Sequence, residues 1–173
     1  MPQPEAVPER SAEAQAALDE QLLAAAKAGD VAAIERLAAE GASADAKDTN
    51  GWPAVYWAAW KGHAEAVAAL ARLGADLDAT ASTGRPALMV AAEFGRAGVV
   101  AALLEGGAAV DAAGTSGRTA LILAARSGEA ECVRLLLEAG ADTALRASGK
   151  TALEVAEMQG HAEVAALLRG WGR

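Results

Sequence analysis

The sequence is poor in the residues that most catalytic and metal-binding sites use. Its 173 residues include one cysteine, two histidines and only 3% aromatic residues. A single cysteine, Cys132, excludes a disulfide within the chain, a cysteine-rich zinc site and an iron–sulfur cluster. His63 and His161 are too few for a typical histidine-based metal site. We therefore expect no metal and no cofactor.

Positive charge and long hydrophobic runs are also scarce. Fifteen Lys and Arg residues stand against 23 Asp and Glu residues, which gives a formal net charge of -8 and disfavours binding to nucleic acids or anionic membranes. No stretch reaches the ~18 uninterrupted apolar residues that a membrane span requires. The first ten residues lack the basic start and apolar run of a signal peptide. The sequence predicts a soluble cytoplasmic protein that binds neither nucleic acid nor membrane.

The composition favours helices. Hydrophobic residues make up 53% of the chain and charged residues 22%, so a single domain can bury a sizeable core. Alanine is abundant, whereas β-sandwiches and barrels favour β-branched and aromatic residues. An alanine-rich, aromatic-poor interior suits closely packed helices, and we expect an all-α fold.

Three series of glycines recur along the chain. Successive members lie 33 residues apart, except that the last step of each series is 32, which places a one-residue deletion near residues 144–148. The series are Gly51, Gly84, Gly117 and Gly149; Gly29, Gly62, Gly95, Gly128 and Gly160; and Gly41, Gly74, Gly107, Gly140 and Gly172. Each unit reads as a turn, a helix, a tight turn, a helix and a loop. Helices of ~8–10 residues do not bury their apolar faces alone, so the units must stack.

The most regular stretch resembles the ankyrin-repeat family. Gly-Arg-Thr-Ala-Leu-Ile-Leu-Ala-Ala-Arg-Ser-Gly at 117–128, followed by Val-Arg-Leu-Leu-Leu-Glu-Ala-Gly-Ala-Asp at 133–142, is similar to the family consensus. Gly-His-Ala-Glu at 62–65 and at 160–163 is similar to it as well. The resemblance covers roughly residues 20–173. It implies an all-α ankyrin-repeat solenoid of five helix-turn-helix units with capping end units, which binds partners on the concave surface formed by its turn tips and first helices.

The domain organisation follows from this register. We expect a disordered N-terminal tail at 1–10 and one ankyrin-repeat domain at 11–173, with units at about 11–47, 48–80, 81–113, 114–145 and 146–173. Ser11 is expected to cap a helix that ends near Ala28. Pro53 and Pro86 replace the threonine of the family pattern, so two units should lack a hydroxyl N-cap.

No group of residues predicts an enzyme. His63 and His161 occupy the same position in their repeats, where they should begin the second helix, and no nucleophile is paired with either one. Cys132 falls where other units carry small core residues. Gly149-Lys150-Thr151 resembles the end of a phosphate-binding loop, but that loop requires a glycine at 144, which is alanine.

The positions that the resemblance assigns to the concave surface carry aromatic and cationic residues. Trp52, Trp60 and Phe94 are candidate apolar anchors, because large aromatic side chains bury much area with few rotatable bonds. Tyr56 and Trp57 map instead to inner positions. Arg85, Arg118, Arg126 and Lys150 are candidates for contacts with acidic groups. The ten candidate partner-binding residues are Trp52, Trp60, Lys61, Arg85, Glu93, Phe94, Arg118, Arg126, Lys150 and Met158.

We therefore predict a non-catalytic protein–protein interaction module, monomeric by default, which binds a folded partner with an acidic and partly apolar surface. By analogy of fold, it would serve as a bacterial inhibitor, immunity or regulatory protein. Two alternatives stay open: an engineered or natural scaffold subunit of a larger assembly or enzyme complex and, disfavoured by the net charge, a nucleic-acid-binding protein.

Overall fold

This computed structural model describes residues 11–171. They contain ten α-helices in five consecutive pairs. Within it the only β-type contacts are isolated bridges between Lys47 and Pro53 and between Ala147 and Lys150. The expected all-α class is confirmed, whereas the tail expected at 1–10 lies outside the described residues. The helices are α1 (Ala12–Ala28), α2 (Val31–Ala39), α3 (Ala54–Lys61), α4 (Ala64–Arg72), α5 (Ala87–Glu93), α6 (Ala97–Glu105), α7 (Ala120–Ser127), α8 (Ala130–Glu138), α9 (Ala152–Gln159) and α10 (Ala162–Gly170).

The N-terminal ends of the helices follow the capping residues in the sequence. The Ser11 hydroxyl accepts the backbone N–H of Ala14 at 3.2 Å, and α1 ends at Ala28, both as predicted. Pro53 and Pro86 precede α3 and α5 without any side-chain cap, which confirms the predicted loss. At α9, by contrast, Thr151 and Glu154 form a reciprocal capping box.

The helices pack in two rows with the core between them. The first helices of the pairs, α1, α3, α5, α7 and α9, contact one another in succession, and the second helices do the same. Every residue from Ala120 to Ala125 in α7 is buried, and Cys132 in α8 is 1% exposed. Because alanine side chains are short, neighbouring first helices approach closely, and leucines of the second row, such as Leu103 and Leu136, fill the remaining volume.

Hydrogen bonds also join each unit to the next along the loops. An aspartate carboxylate in one loop accepts the backbone N–H of a residue in the following loop. The three bonds run from Asp76 N–H to Asp45 (2.7 Å), from Ala109 N–H to Asp78 (3.0 Å) and from Asp142 N–H to Asp111 (3.0 Å). We call this row of bonds the aspartate ladder.

The two histidines have the structural position that the sequence predicts. His63 and His161 are the N-terminal flanking residues of α4 and α10. The Nε2 atom of His63 lies 3.1 Å from the carbonyl oxygen of Lys27, and that of His161 lies 3.0 Å from the carbonyl oxygen of Arg126. Because a carbonyl oxygen only accepts, each ring donates Nε2–H to the preceding unit.

Candidate functional site

The ten candidate residues all lie next to the first helices of the second to fifth units or within them. They are either in the turn before a first helix, as Trp52 and Lys150 are, or at the helix's C-terminal end, as Trp60 and Met158 are. We call this surface, made of those turns and of the exposed residues of α3, α5, α7 and α9, the first-helix face. Positions that recur every 32 or 33 residues in the sequence therefore occupy equivalent turns and helix ends in successive units.

Five of the six aromatic residues of the chain belong to the second and third units. The ring centroids of Trp52 and Tyr56 lie 4.3 Å apart, and those of Trp57 and Trp60 lie 5.2 Å apart. Tyr56 is buried and Trp57 is partly buried, in line with their predicted inner positions. Trp60 is 42% exposed and Phe94, at the end of the adjacent α5, is 55% exposed. We call these five residues the aromatic patch.

Asp48 holds the buried edge of the aromatic patch. Its carboxylate accepts the indole N–H of Trp57 at 3.0 Å and the backbone N–H groups of Asn50 at 2.9 Å and Trp52 at 3.0 Å. Partial burial by itself raises the pKa of Asp48, but these hydrogen bonds together outweigh it, so the net pKa lies below its ordinary value. Asp48 therefore fixes the Trp57 indole and the backbone at Trp52.

Two lysines border the same rings. The Lys27 ammonium lies 4.4 Å from the ring centroid of Trp57, and the Lys61 ammonium lies 5.2 Å from that of Trp60. Both distances are within the range of cation–π attraction. Lys61 was a candidate from the sequence. Lys27 was not, because it belongs to α1, and the candidates were drawn only from the four units after that helix.

Arg85 and Glu93, both candidates from the sequence, form a salt bridge with each other. Their side chains are only 33% and 24% exposed. The charge of Arg85 is therefore already compensated in the free chain, and Glu93 would meet a partner as part of an ion pair. Trp52 likewise lies half-buried against Tyr56, so that only part of its ring faces outward.

Four other candidates meet in one cavity between the fourth and fifth units. Arg118, Arg126, Lys150 and Met158 line a space of about 170 Å³. None of its three cations makes a salt bridge to any carboxylate of residues 11–171. We call this cavity the basic pocket. Its full lining is Arg118, Ile122, Arg126, Ala147, Ser148, Lys150, Val155, Met158 and Gln159.

A two-residue turn shapes one wall of the basic pocket. Ser148 and Gly149 have φ values of 50° and 77°, and Ala147 and Lys150 exchange backbone hydrogen bonds of 3.0 Å in both directions. These paired positive φ values are typical of a tight hairpin turn. The turn coincides with the one-residue deletion, which shortens this connection relative to the other units.

Arg146 and Glu154 hold the turn against α9. Arg146 donates to the Gly149 carbonyl at 2.8 Å and to the Glu154 carboxylate at 3.1 Å. Glu154 also accepts the backbone N–H of Thr151 at 2.7 Å. That backbone hydrogen bond is the main reason that the pKa of Glu154 is lowered, with smaller contributions from the Thr151 hydroxyl, Arg146 and Lys150.

Sequence reasoning missed the apolar lining of the basic pocket. Ile122 and Val155 occupy ordinary interior positions of α7 and α9, so helical periodicity assigns them to the core. Ala147 and Ser148 belong to the shortened turn. The 32-residue step between glycines marks this turn as different, but it does not indicate that a cavity forms there.

Cys132 is a poor nucleophile in the folded chain, and the described residues bring together no metal-binding cluster. Burial is the main cause that raises the pKa of Cys132 to about 11, so its thiolate is scarcely populated at neutral pH. In residues 11–171, no cluster of three or more His, Cys, Asp or Glu side chains could hold a metal ion. Over the same residues, no helix has the length and apolar character needed to cross a membrane.

Comparison with known protein families gives a match. The sequence model of the family described as ankyrin repeats, in three copies, matches residues 22–113 and 88–172. No curated protein matches the chain.

Proposed function

Because this chain belongs to the ankyrin-repeat family, whose repeats are generally protein–protein interaction modules, we propose that it binds a folded partner protein through its first-helix face and catalyses no reaction. The observation that carries this proposal is the aromatic patch. Trp60 and Phe94 project from neighbouring units with 42% and 55% of their surfaces exposed, in a chain that has only six aromatic residues (Trp 4, Tyr 1, Phe 1). Exposed aromatic rings of this size are typical of interaction sites.

The contacts that support the Trp60 ring favour tight recognition. Trp57 packs against Trp60 and is itself hydrogen-bonded to Asp48, so Trp60 loses little freedom when a partner covers it. Association is opposed by the ordering of side chains and loops, and a fixed surface reduces that cost. For the same reason a stacked helical array suits a partner that is already folded.

The charges along the first-helix face define the partner that we propose. Lys61 lies beside the aromatic patch, and Arg118, Arg126 and Lys150 lie further along the face, while the whole chain carries a formal charge of -8. An acidic partner would be attracted to this face and repelled by the rest of the molecule. The complementary surface is therefore partly apolar and partly acidic.

Within a cell, we assign the chain the role of a cytoplasmic inhibitor, immunity or regulatory protein of a bacterium, acting as a monomer. An alanine-rich repeat stack with no metal-holding cluster in residues 11–171 supports a role in which binding to the partner is itself the effect.

Affinity capture from a native lysate with a matched control tests the proposal. The variant Trp60→Ala/Phe94→Ala removes both exposed rings of the patch. Trp171→Ala is the control, because Trp171 is also 42% exposed but lies beyond α10, away from the first-helix face. We expect one partner to be retained by the wild type and by Trp171→Ala and to be lost with the double variant. A partner that all three proteins retain equally would contradict this interface.

A further inference from the structure

We propose that the basic pocket binds the C-terminal residue of a partner protein, with its apolar side chain in the cavity and its free carboxylate against the cationic rim. This inference rests on the proposed function, since it supposes that the ligand is a protein. It adds a discrete site, separate from the aromatic patch, and specifies the chemical group that enters it.

The lining of the pocket divides into an apolar part and a cationic part. Ile122 and Ala147, which are 3% and 7% exposed, form a buried apolar base together with Val155. Arg118 and Lys150 are half-buried, so their aliphatic stems form walls and their charged groups lie at the rim. A guanidinium group binds a carboxylate through two parallel hydrogen bonds, which is among the strongest polar contacts that proteins make.

Lys150 lies near enough to Glu154 to lower its pKa, but the two arginines of the pocket lack a carboxylate partner among residues 11–171, which indicates that the ligand supplies one. Other arginines of the chain form salt bridges with a nearby carboxylate: Arg134 lies 2.8 Å from Glu131, and Arg146 lies 3.1 Å from Glu154. Neither Arg118 nor Arg126 has such a carboxylate partner among residues 11–171, although both share one cavity with Lys150. Three cations gathered around an apolar base are complementary to an anion attached to an apolar group.

The spacing of side chains along a peptide distinguishes a terminal residue from an internal acidic one. In an extended peptide, successive side chains point to opposite sides, and residues i and i+2 on the same side are about 6.6 Å apart. An internal acidic side chain and an apolar neighbour on the same side would therefore reach the cationic rim and the apolar base from two separate backbone positions. A C-terminal residue carries its carboxylate and its apolar side chain on a single Cα atom, so that both fit together.

The wall next to the ligand is rigid before binding. Ser148 lies in the two-residue turn whose flanking residues, Ala147 and Lys150, are joined by two backbone hydrogen bonds. Arg146 ties the turn to α9 through Glu154. Lys150 is therefore held at the rim by the backbone, and little ordering is required when a carboxylate arrives.

Short peptides test the proposal directly on the full chain. The probe is N-acetyl-Gly-Ser-Leu with a free C-terminal carboxylate, titrated into the ¹⁵N-labelled protein and followed by the backbone amide shifts of Ser148 and Lys150. We expect saturable shifts at these amides. The same peptide with a C-terminal amide should bind at least about tenfold more weakly, which is the factor expected for the loss of one charge-assisted hydrogen bond. N-acetyl-Gly-Leu-Glu-Gly-amide, whose only acid is internal, should bind as weakly as the amide.

Matched charge variants locate the binding. Arg118→Gln and Lys150→Gln should each weaken binding of the acid peptide by about tenfold. Arg134→Gln removes the same charge from the row of second helices and should leave the affinity unchanged. Circular dichroism spectra matching the wild type establish that each variant is folded.

Three results would overturn the pocket proposal: equal binding of the acid and amide peptides, equal binding of the internal-acid peptide, or no binding at millimolar peptide. If a protein partner is still captured in a Trp60-dependent manner, these results reject the pocket alone and leave the proposed function standing. If the acid peptide binds as expected but capture does not depend on Trp60 and Phe94, the aromatic interface is rejected and the pocket stands.

Discussion

Gly128 and Gly160 form a natural pair for separating backbone strain from steric conflict. Each is the C-terminal flanking residue of a first helix, with φ of 78° and 77°, a conformation that disfavours any residue with a Cβ atom. A Cβ added at Gly128 would lie 2.6 Å from Nδ1 of His161, whereas a Cβ at Gly160 meets nothing within 4 Å. Substitution by alanine thus imposes the same strain at both positions and a clash at only one.

The expected difference follows from the contact that the clash breaks. The left-handed conformation should cost either alanine variant about 1–2 kcal/mol of unfolding free energy. At Gly128 the imidazole must also move, which breaks its 3.0 Å hydrogen bond to the carbonyl oxygen of Arg126. That loss adds about 1 kcal/mol. We expect Gly128→Ala to be less stable than Gly160→Ala by this amount.

Urea unfolding followed by far-ultraviolet circular dichroism measures the unfolding free energy of both variants. Repeating the Gly128→Ala measurement in a chain without His161 isolates the cause of the difference. In a His161→Ala chain, Gly128→Ala should lose its excess cost and resemble Gly160→Ala. Equal destabilisation by the two single variants would refute the steric part of the reasoning. An excess that persists without His161 would show that the conflict lies elsewhere in the backbone.

Two further predictions concern titratable groups. Asp48→Asn should destabilise the fold by about 1 kcal/mol at neutral pH, because the amide offers fewer acceptor sites to its three donors. Since the folded pKa of Asp48 is lowered, its contribution is fully present above its unfolded pKa of about 4 and is lost as the pH falls through the folded pKa, so the wild-type advantage should shrink in acid. Urea titrations at several pH values check this, and a pH-independent difference would count against it. Cys132, with its pKa raised to about 11 by burial, should react with iodoacetamide far more slowly in the native protein than in urea; comparable rates would mean that α8 opens readily.

The positions of the helices could be predicted because the glycines fix them. Glycine recurs where a helix must stop in a left-handed conformation, as at Gly128 and Gly160, so a regular spacing in sequence becomes a regular spacing of helix ends. The prolines before α3 and α5 and the hydroxyl caps of α7 and α9 confirm the same register from the opposite ends of the helices.

The pairing of side chains could not be predicted in the same way. A repeat position says which face carries Arg85, but it does not say that its guanidinium turns to Glu93, eight residues later, instead of pointing outward. Trp52 and Tyr56 similarly cover part of each other's rings, a contact that depends on side-chain rotamers. The basic pocket requires the contour of the shortened turn as well as the identity of Ile122 beneath it, and neither is encoded in periodicity.

The aspartate ladder gives the stack a direction, and its row of acceptors ends before the last loop between units. Each bond points from the N–H of one loop back to the oxygen of the loop before it, so every unit receives its neighbour in one direction only. The acceptors occur every 33 residues at Asp45, Asp78 and Asp111, and the next position in that sequence is Ala144, which has no oxygen in its side chain. A loop after α10 would therefore meet no carboxylate at the equivalent position, and its attachment to the array would depend on the other contacts between units, such as apolar packing and the histidine hydrogen bonds.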